Sequence, residues 1–515
     1  MNAFARLTEL ALRQPEQIAL QEAQQTLSYQ ALLKQVLSAE QWLRAQPIKR
    51  LAIQLDNSIA FVLWDLAAQL AGVVCVPMPL FFTPSQQQHV LNSAGIDLLL
   101  TPVQQNLSNS ITSGTRCSLP TESALADGIA AWRFTPARVP ELPAGTSKIT
   151  FTSGTTGEPK GVCLSASNQW QVAQSLQAVA STLAIHTHLC VLPLAVLLEN
   201  VAGVYTALMS GARVVLPPLN AVGLRGSSQF DPAALVASSK RYEANSIILL
   251  PQMLSSLLDV LAHDKNGNKL RTLRFAAVGG ARVAPELLAR ADALGVPVYE
   301  GYGLSECASV VALNAPRARR AGTVGKPLPH VRVARSDDGE LLVHGNAFLG
   351  YLGSSATTAD EPIATGDLGA FDGDGFLHIQ GRKKNLLITS FGRNVSPEWP
   401  ESELLAEPEI LQASVFGDGK PALSAVLVPR PGTTVAALDA TVARVNQRLP
   451  DYARLQAIVI SADGFRPDNG LLTSNGRPKR DAIWQRYADE LNARYHERQT
   501  PSHATAPAAA IPSTC

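Results

Sequence analysis

The 515-residue sequence has few cysteines, little charge and no long apolar run. Its six cysteines include no CxxC pair or other spacing typical of a metal site, so a zinc module is not expected. Most of them stand in apolar stretches, which indicates buried free thiols in a reducing compartment. Charged residues make up only 17%, and the net charge is +1. A chain this close to neutral gives no sign of the basic surface that nucleic-acid-binding proteins usually carry.

No segment reaches the roughly 20 uninterrupted apolar residues that a transmembrane helix requires. The most apolar stretches are residues 70–82 and 189–209, and prolines or polar residues interrupt both. Residues 1–17 are typical of an amphipathic helix rather than of a signal peptide. We therefore expect a cytoplasmic protein, and peripheral contact of an apolar patch with a membrane stays open. The sequence does not indicate an oligomeric state.

Hydrophobic residues make up 46% of the chain, which excludes a mainly disordered protein and provides for large cores. Short apolar runs, such as residues 50–56, alternate with helical patterns over most of the length. Strands buried on both faces appear in a sequence as continuous Val, Ile and Leu runs, so this alternation predicts mostly parallel sheets covered by helices. The expected fold class is therefore α/β, with a large N-terminal body.

Farther along the chain the pattern changes to short alternating strands joined by Asp-Gly turns, which are typical of hairpins. We expect a small antiparallel unit over about 322–383, added to an α/β body that ends at about residue 321. Together they make an N-terminal domain of residues 1–383. Residues 384–495 are expected to form a small α+β C-terminal domain. Residues 496–515 are rich in Pro, Ala, Ser and Thr and predict a disordered tail.

The segment ITFTSGTTGEPKGVCLS, residues 149–165, leads from an apolar strand into a loop of hydroxyl residues, glycines and one lysine. Glycines allow backbone N–H groups to turn toward an anion, Thr and Ser add donors, and Lys160 adds a mobile positive charge. Such a loop suits a polyphosphate, although its spacing is not the GxxxxGK[ST] of P-loop nucleotide triphosphatases. The alternative is a plain surface connection, because Gly, Ser and Thr clusters are common in loops.

The segment VYEGYGLSECA, residues 298–308, places Tyr302 between two glycines after an apolar strand. A planar base could stack on this ring. Glu306, a little farther along, offers carboxylate oxygens that suit a hard cation such as Mg²⁺. For a lone tyrosine and a lone glutamate, packing in a turn and exposure to solvent are the commoner interpretations.

A third segment, residues 364–401, begins with ATGDLG and continues through GRKKNLLITSFGRNVSP. Asp367 stands in a glycine-flanked turn and could accept two hydrogen bonds from a ribose diol. Arg382 offers a planar fork for a ribose or a phosphate. By itself the RKK triplet is equally typical of an ordinary charged turn.

In this order and at these separations, the three segments resemble the motifs of the adenylate-forming superfamily. Its members include acyl-CoA synthetases, peptide-synthetase adenylation domains and luciferases. TSGTTGEPKG is similar to the family's signature loop, YGLSE to its YGxTE motif, and TGDLG with the downstream string to its third core motif and hinge. The resemblance spans roughly residues 10–490. NVSPEWPE and VFGDGKPALSAVLVP are most similar to the long-chain acyl-CoA synthetase branch.

This resemblance implies binding of ATP, Mg²⁺ and CoA, or of a phosphopantetheine carrier in place of CoA. Tyr302 would stack on adenine, and Asp367 with Arg382 would hold the ribose. Glu306 would ligate Mg²⁺, and Lys384 matches the hinge of a mobile C-terminal domain. The residues expected to cradle the phosphates are Thr152, Ser153, Gly154, Thr155, Thr156, Gly157 and Lys160. The other residues expected at the nucleotide are Gly280, Gly303 and Ser305.

Near the C terminus, LLTSNGRPKRDAI resembles the family's closing motif LTPxGKxxR, whose lysine meets the substrate carboxylate and the α-phosphate. Without a gap, that lysine falls on Arg477, and Lys479 follows shortly after it. An arginine does not simply reproduce a compact ammonium. Pro478 fixes the backbone before Lys479, so we slightly prefer Lys479 as the catalytic cation and keep Arg477, or a merely solvated segment, as alternatives. The histidines of the family's LTHxN and LPLxH strings are missing.

Taken together, the resemblance implies an AMP-forming acid–thiol ligase of the acyl-CoA synthetase type. It would activate a medium or long fatty acid to an acyl-adenylate, release pyrophosphate and transfer the acyl group to CoA. A second hypothesis is an acyl-AMP ligase that loads a carrier protein or an amine. A third is a catalytically weakened homologue that binds nucleotide or acyl ligand, which Arg477 and the missing histidines keep open. The sequence does not indicate the acyl chain length.

Overall fold

The structure, a computed structural model, divides into two compact units. Unit 1 comprises residues 1–386 and 472–477, and unit 2 comprises residues 387–471 and 478–515. The residues described are 3–104, 114–120, 123–153, 159–226, 229–263, 270–357, 361–473 and 476–499. Unit 1 extends to residue 386 and takes in a short segment of the closing motif, while the expected domain boundaries stay predictions.

Within the described residues, unit 1 contains a nine-stranded sheet with parallel central strands and antiparallel strands at its ends. In order across the sheet, the strands are Lys326–Pro327, Ser309–Leu313, Val298–Leu304, Phe275–Val278, Ser246–Leu249, Thr187–Leu189, Arg213–Val215, Ile18–Glu22 and Gln25–Ser28. All four residues of Ser246–Leu249 are buried, as the continuous apolar run in the sequence predicts.

A second sheet of unit 1 has eight strands in the described part of the chain. Across the sheet these are Gly350–Tyr351, Pro159–Ser165, Thr146–Ser153, Val74–Pro77, Arg50–Ile53, Leu98–Pro102, Ile129–Arg133 and Thr115–Cys117. The strands on either side of the glycine-rich loop, Thr146–Ser153 and Pro159–Ser165, form an antiparallel hairpin. Gly350–Tyr351 extends the edge of that hairpin, pairing Tyr351 with Val162.

A four-stranded antiparallel sheet lies in the segment where Asp-Gly turns predict hairpins. Its strands are Val331–Arg335, Glu340–Gly345, Ile363–Phe371 and Leu377–Arg382. The short strands Leu224–Arg225 and Gln229–Phe230 pair with each other as a two-stranded antiparallel ribbon. With the two larger sheets, these elements confirm an α/β body that carries a small antiparallel unit.

Helices cover the two large sheets of unit 1 and share one apolar core with both of them. The α-helices are Ala3–Arg13, Tyr29–Arg44, Ile59–Ala71, Pro84–Ala94, Ser123–Ala126, Ala166–Ala180, Thr206–Ser210, Pro232–Arg241, Pro251–His263 and Pro285–Ala293. A π-helix that the sequence does not predict, Leu198–Tyr205, precedes Thr206–Ser210. None of the described helices is long and apolar enough to cross a membrane.

Unit 2 is built on a three-stranded sheet of Ile410–Phe416, Leu423–Pro429 and Leu455–Ile460. Its α-helices are Glu398–Leu405, Val435–Arg448 and Arg480–Gln499, and Leu387–Ile388 pairs with Asn394–Val395 as a small ribbon. The helix Arg480–Gln499 overlaps the start of the expected disordered tail, 496–515, which stays a prediction. Residues 500–515 lie outside the described residues.

The five cysteines in the described part of the chain are free, and four of them are buried. Burial raises the pKa of the Cys163 thiol to about 11. This agrees with the expectation of inert, buried thiols.

A fully buried ion pair fastens the strand that leads into the glycine-rich loop. Lys148 Nζ lies 2.9 Å from Asp65 Oδ1, and both side chains are completely buried. Tyr205 donates a 2.6 Å hydrogen bond to Asp65 Oδ2, and Asn200 contacts both charged groups. The network thus joins the strand Thr146–Ser153 to a helix and to the π-helix.

We expect Lys148→Met to destabilise unit 1 by about 3–5 kcal/mol, because Asp65 is then left as a buried charge without its partner. The double variant Lys148→Met/Asp65→Leu should recover most of that loss, since both charges are gone and the volume is kept. Chemical denaturation of the three proteins measures the free energies of unfolding. A double variant as unstable as the single one would contradict this interpretation.

Candidate active site

The strand Val298–Leu304 and the 3₁₀ turn Ser305–Cys307 after it carry the side chains around which the candidate site is built. A Cβ on Gly303 would lie 1.6 Å from the carbonyl oxygen of Ser309, so a side chain there would displace the backbone. Beyond the turn, Ala308 and Ser309 adopt φ angles of +56° and +123°. Such angles cost non-glycine residues about 1–3 kcal/mol each and are often found at functional sites.

The first group of side chains, the Tyr302 cluster, consists of Tyr302, Asp367 and Arg382. Tyr302 donates a 2.6 Å hydrogen bond to Asp367 Oδ2, and Arg382 Nε lies 2.8 Å from Asp367 Oδ1. Asp367 and Arg382 face each other across neighbouring strands of the four-stranded sheet. Burial and the Asp367 carboxylate raise the pKa of the Tyr302 hydroxyl, which therefore remains a donor. The structure thus brings together three residues that the sequence nominated for base and ribose.

The second group, the Glu306 cluster, consists of Lys160, Glu306 and Tyr351. The Tyr351 hydroxyl donates a 2.8 Å hydrogen bond to Glu306 Oε1. Lys160 Nζ lies 5.9 Å from the centroid of the Tyr351 ring. Sequence reasoning missed Tyr351, because its only signal is an aromatic residue beside a glycine.

The Glu306 carboxylate fits a hard cation. Its second oxygen accepts no hydrogen bond from any residue that the structure describes. Carboxylate oxygens left in this way are the ligands that Mg²⁺ prefers. The geometry is compatible with a metal ligand at Glu306, and that role stays a prediction.

The glycine-rich loop is described only at its two ends. Thr152 pairs with Lys160, and Ser153 pairs with Pro159, so the two ends meet. The predicted phosphate contacts of the loop stay predictions. Four of the residues concerned, Gly154, Thr155, Thr156 and Gly157, lie outside the described residues.

Three other predicted residues lie at the ends of adjacent elements. Gly280 follows the strand Phe275–Val278 and has a φ of +86°, a left-handed conformation that favours glycine. Gly303 is the point of closest backbone approach described above. Ser305 begins the 3₁₀ turn, and its carbonyl accepts a 3.0 Å hydrogen bond from the Ala308 amide.

Glu300, on the same strand as Tyr302, is a buried carboxyl that sequence reasoning did not single out. Its Oε1 accepts a long 3.4 Å hydrogen bond from the Val283 amide, and its Oε2 is buried without a partner among the described residues. Burial raises the pKa of this carboxyl to about 8. Glu300 is therefore protonated near neutral pH and carries no charge into the site.

The two candidate C-terminal cations, Arg477 and Lys479, have different surroundings. Arg477 belongs to unit 1 and Lys479 to unit 2. Loss of hydration and the positive charge of Arg382 lower the pKa of the Arg477 guanidinium, and the charge of Asp367 opposes this. By accessible surface, Arg477 is exposed, as Lys479 is. Arg477 thus lies within the electrostatic reach of the Tyr302 cluster. Lys479 is exposed, and its amide donates to the Leu471 carbonyl.

A separate buried cluster of His188, Cys190 and Glu199 has metal-ligating atoms within 4.8 Å of one another. Its geometry does not favour a metal. Glu199 Oε2 accepts two backbone hydrogen bonds of 2.8 and 3.0 Å, and its Oε1 lies 2.8 Å from His188 Nε2. Burial also raises the pKa of the Cys190 thiol. We interpret the cluster as a hydrogen-bonded part of the core.

Comparison with known proteins gives consistent matches along most of the chain. The model of the AMP-binding enzyme family matches residues 7–352, and that of the AMP-binding enzyme C-terminal domain matches residues 384–499. A long-chain-fatty-acid–CoA ligase of Mycobacterium bovis is 31% identical over a 414-residue alignment, and the match covers 68% of this chain and 69% of that protein. Oxalate–CoA ligase of Arabidopsis thaliana is 28% identical, covering 85% of this chain and 88% of that protein.

Among solved structures, the AMP complex of O-succinylbenzoate coenzyme A synthetase from Bacillus subtilis is similar, with a TM-score of 0.71. Its sequence is 25% identical to this chain, and the match covers 92% of this chain and 97% of that one. The likeness therefore includes both the body of the molecule and its C-terminal part.

The raised pKa of Glu300 predicts a pH-dependent stability. The folded protein holds this proton up to about pH 8, whereas the unfolded chain releases it near the ordinary value of 4.5. The free energy of unfolding should therefore fall as pH rises from about 5 to 8, by up to about 1.4 kcal/mol per pH unit. Glu300→Gln should remove this part of the slope in thermal unfolding measured across that range. Parallel curves for the two proteins would contradict the prediction.

Proposed function

The chain belongs to the AMP-binding enzyme family and is an adenylate-forming acid–thiol ligase; on this premise we propose that it acts on ATP, a medium or long fatty acid and CoA. The carboxylate attacks the α-phosphate of ATP, the bond to pyrophosphate breaks, and an acyl-adenylate forms. The CoA thiol then displaces AMP. The observation that carries the proposal is the presence of both clusters around the end of one strand, Val298–Leu304, with its following turn.

The Tyr302 cluster is suited to the nucleoside. Its tyrosine ring provides a face for adenine, and the Asp367 carboxylate provides acceptors for the ribose hydroxyls. Because Tyr302 and Arg382 already hold Asp367, that carboxylate loses little conformational freedom when a nucleotide binds. Pre-ordering of this kind favours affinity for the sugar without requiring movement of the sheet.

The Glu306 cluster is suited to the phosphates. The Lys160 ammonium is exposed and forms no ion pair within the described residues, so its charge stays available for the polyphosphate. Mg²⁺, when bound at Glu306, neutralises phosphate charge as a Lewis acid. Fixed charges that face a developing negative charge are the usual source of rate enhancement in such reactions.

Two observations support a fatty acid as the acid. The long-chain-fatty-acid–CoA ligase of Mycobacterium bovis aligns over two thirds of the chain. Val196, which stands where LPLxH would carry histidine, is 36% exposed, so that position presents an apolar side chain. Oxalate and O-succinylbenzoate, the acids of two other similar proteins, are the competing substrate class.

The acid is tested by isotope exchange between pyrophosphate and ATP with a panel of acids from two to eighteen carbons, together with oxalate and an aromatic acid. We expect exchange to depend on medium or long chains, because each buried methylene contributes about 0.8 kcal/mol of binding. CoA and a phosphopantetheinylated carrier protein are then compared as acceptors by product analysis. Preference for oxalate or the aromatic acid would refute the fatty-acid assignment, and absence of exchange with every acid would support a weakened homologue.

We propose Arg477 as the cation that brings the substrate carboxylate to the α-phosphate. Its support is its assignment to unit 1 and its electrostatic interaction with Asp367 and Arg382. This reverses the slight preference for Lys479 that follows from the sequence, which itself stays an untested prediction. A guanidinium keeps its charge at every physiological pH, so the role would not depend on pH.

Arg477→Ala should lower acid-dependent pyrophosphate exchange by about two orders of magnitude, corresponding to a contact of about 3 kcal/mol in the transition state. Lys479→Ala is the matched control, since it removes a nearby cation, and should stay within a few-fold of the wild type. Transfer of the acyl group to CoA from supplied acyl-adenylate should survive in both variants. The reverse ranking of the two variants would restore Lys479.

A further inference from the structure

Tyr351 stands between the two opposite charges of the Glu306 cluster. Its hydroxyl contacts the carboxylate of Glu306 at 2.8 Å, and its ring lies 5.9 Å from the ammonium of Lys160. Lys160 and Glu306 form no ion pair with each other in the part of the chain that the structure describes. We propose that Tyr351 is a positioning residue that keeps these two charges apart and oriented toward the phosphates and metal, an inference that rests on the proposed function.

The backbone fixes Tyr351 to both partners. Tyr351 pairs with Val162 on the strand that carries Lys160, and the Leu352 amide donates a 2.8 Å hydrogen bond to the Gly161 carbonyl. On the other side, the Phe348 amide donates a 2.7 Å hydrogen bond to the carbonyl of Glu306 itself. The segment 348–352 is therefore fastened to both elements whose charges it separates.

The ring also has a defined orientation. Phe348 packs edge-on against Tyr351, with ring centroids 4.9 Å apart and planes at 68°. The face of the ring provides the negative side of its quadrupole to Lys160.

Separation of the charges has a chemical purpose in this site. If Lys160 and Glu306 paired, each would cancel the charge that the other must present, one to phosphate and one to Mg²⁺. A neutral residue can hold the carboxylate through its hydroxyl and the ammonium through its ring. It then orients both groups and leaves the charge of each intact. The Glu306 oxygen that Tyr351 does not contact is the one left for the metal.

The two contacts can be separated by substitution. Tyr351→Phe removes the hydroxyl and keeps the ring, whereas Tyr351→Leu removes both. Tyr452→Phe is the control, because Tyr452 is an exposed tyrosine of unit 2. Binding of ATP is measured by calorimetry in the absence of any acid, once with a Mg²⁺ titration and once in EDTA, and thermal unfolding is recorded for every variant.

We expect Tyr351→Phe to raise the Mg²⁺ concentration for half-saturation about tenfold, because Glu306 loses its orienting donor. Its affinity for metal-free ATP should stay within about twofold of the wild type. Tyr351→Leu should weaken metal-free ATP binding as well, by about threefold, since Lys160 loses the aromatic face. In pyrophosphate exchange the same variants should change the KM for Mg-ATP more than kcat.

A double-mutant cycle with Glu306→Gln tests the pair directly. Once Glu306 is replaced, Tyr351→Phe should have no further effect on Mg²⁺ half-saturation. The inference is overturned if the two effects add, if Tyr351→Phe binds Mg²⁺ and ATP as Tyr452→Phe does, or if it weakens both forms of ATP equally while lowering the unfolding temperature. A wild-type chain that binds no ATP overturns the proposed function, and the inference with it.

Discussion

The close contact between the backbones at Gly303 and Ser309 is the constraint on which the candidate site depends. The strand Val298–Leu304 pairs with Ser309–Leu313 with an irregular register between Tyr302 and Gly303. The 3₁₀ turn Ser305–Cys307 follows, and the chain then passes through two strained residues, Ala308 and Ser309. Because of this turn, the tyrosine and the glutamate that follows it within one short turn belong to two different clusters.

The side chains of the site are held by protein groups before any ligand binds. Asp367 is fixed by a hydroxyl and a guanidinium, and Glu306 by a hydroxyl, so neither carboxylate needs a ligand to define its orientation. Glu300 differs from these two carboxylates, because burial raises its pKa and keeps it protonated. Within the candidate site, charge is thus carried by the groups proposed to meet phosphate, metal or sugar.

Much of this site could be predicted from the sequence, because its motifs are short continuous strings. Tyr302 and Asp367 are 65 residues apart in the chain, yet each is recognisable from its own neighbours. Tyr351 and Glu300 carry no such local signal, and only the pairing of distant strands gives them their partners. The π-helix was likewise unpredictable, since its apolar period resembles that of an ordinary helix. Composition alone does not show where the last helix, Arg480–Gln499, ends.

The buried pair of Lys148 and Asp65 has a consequence for how the protein emerges from a ribosome. Its partners are 83 residues apart, and the network is complete only once Tyr205 has been synthesised. Until Lys148 has been synthesised, the first strands of the eight-stranded sheet would enclose a charged aspartate that lacks its counter-ion. Closure of that part of the core is therefore energetically favoured only after the residues up to Lys148 have been synthesised, so the order of translation bears on when this sheet can form.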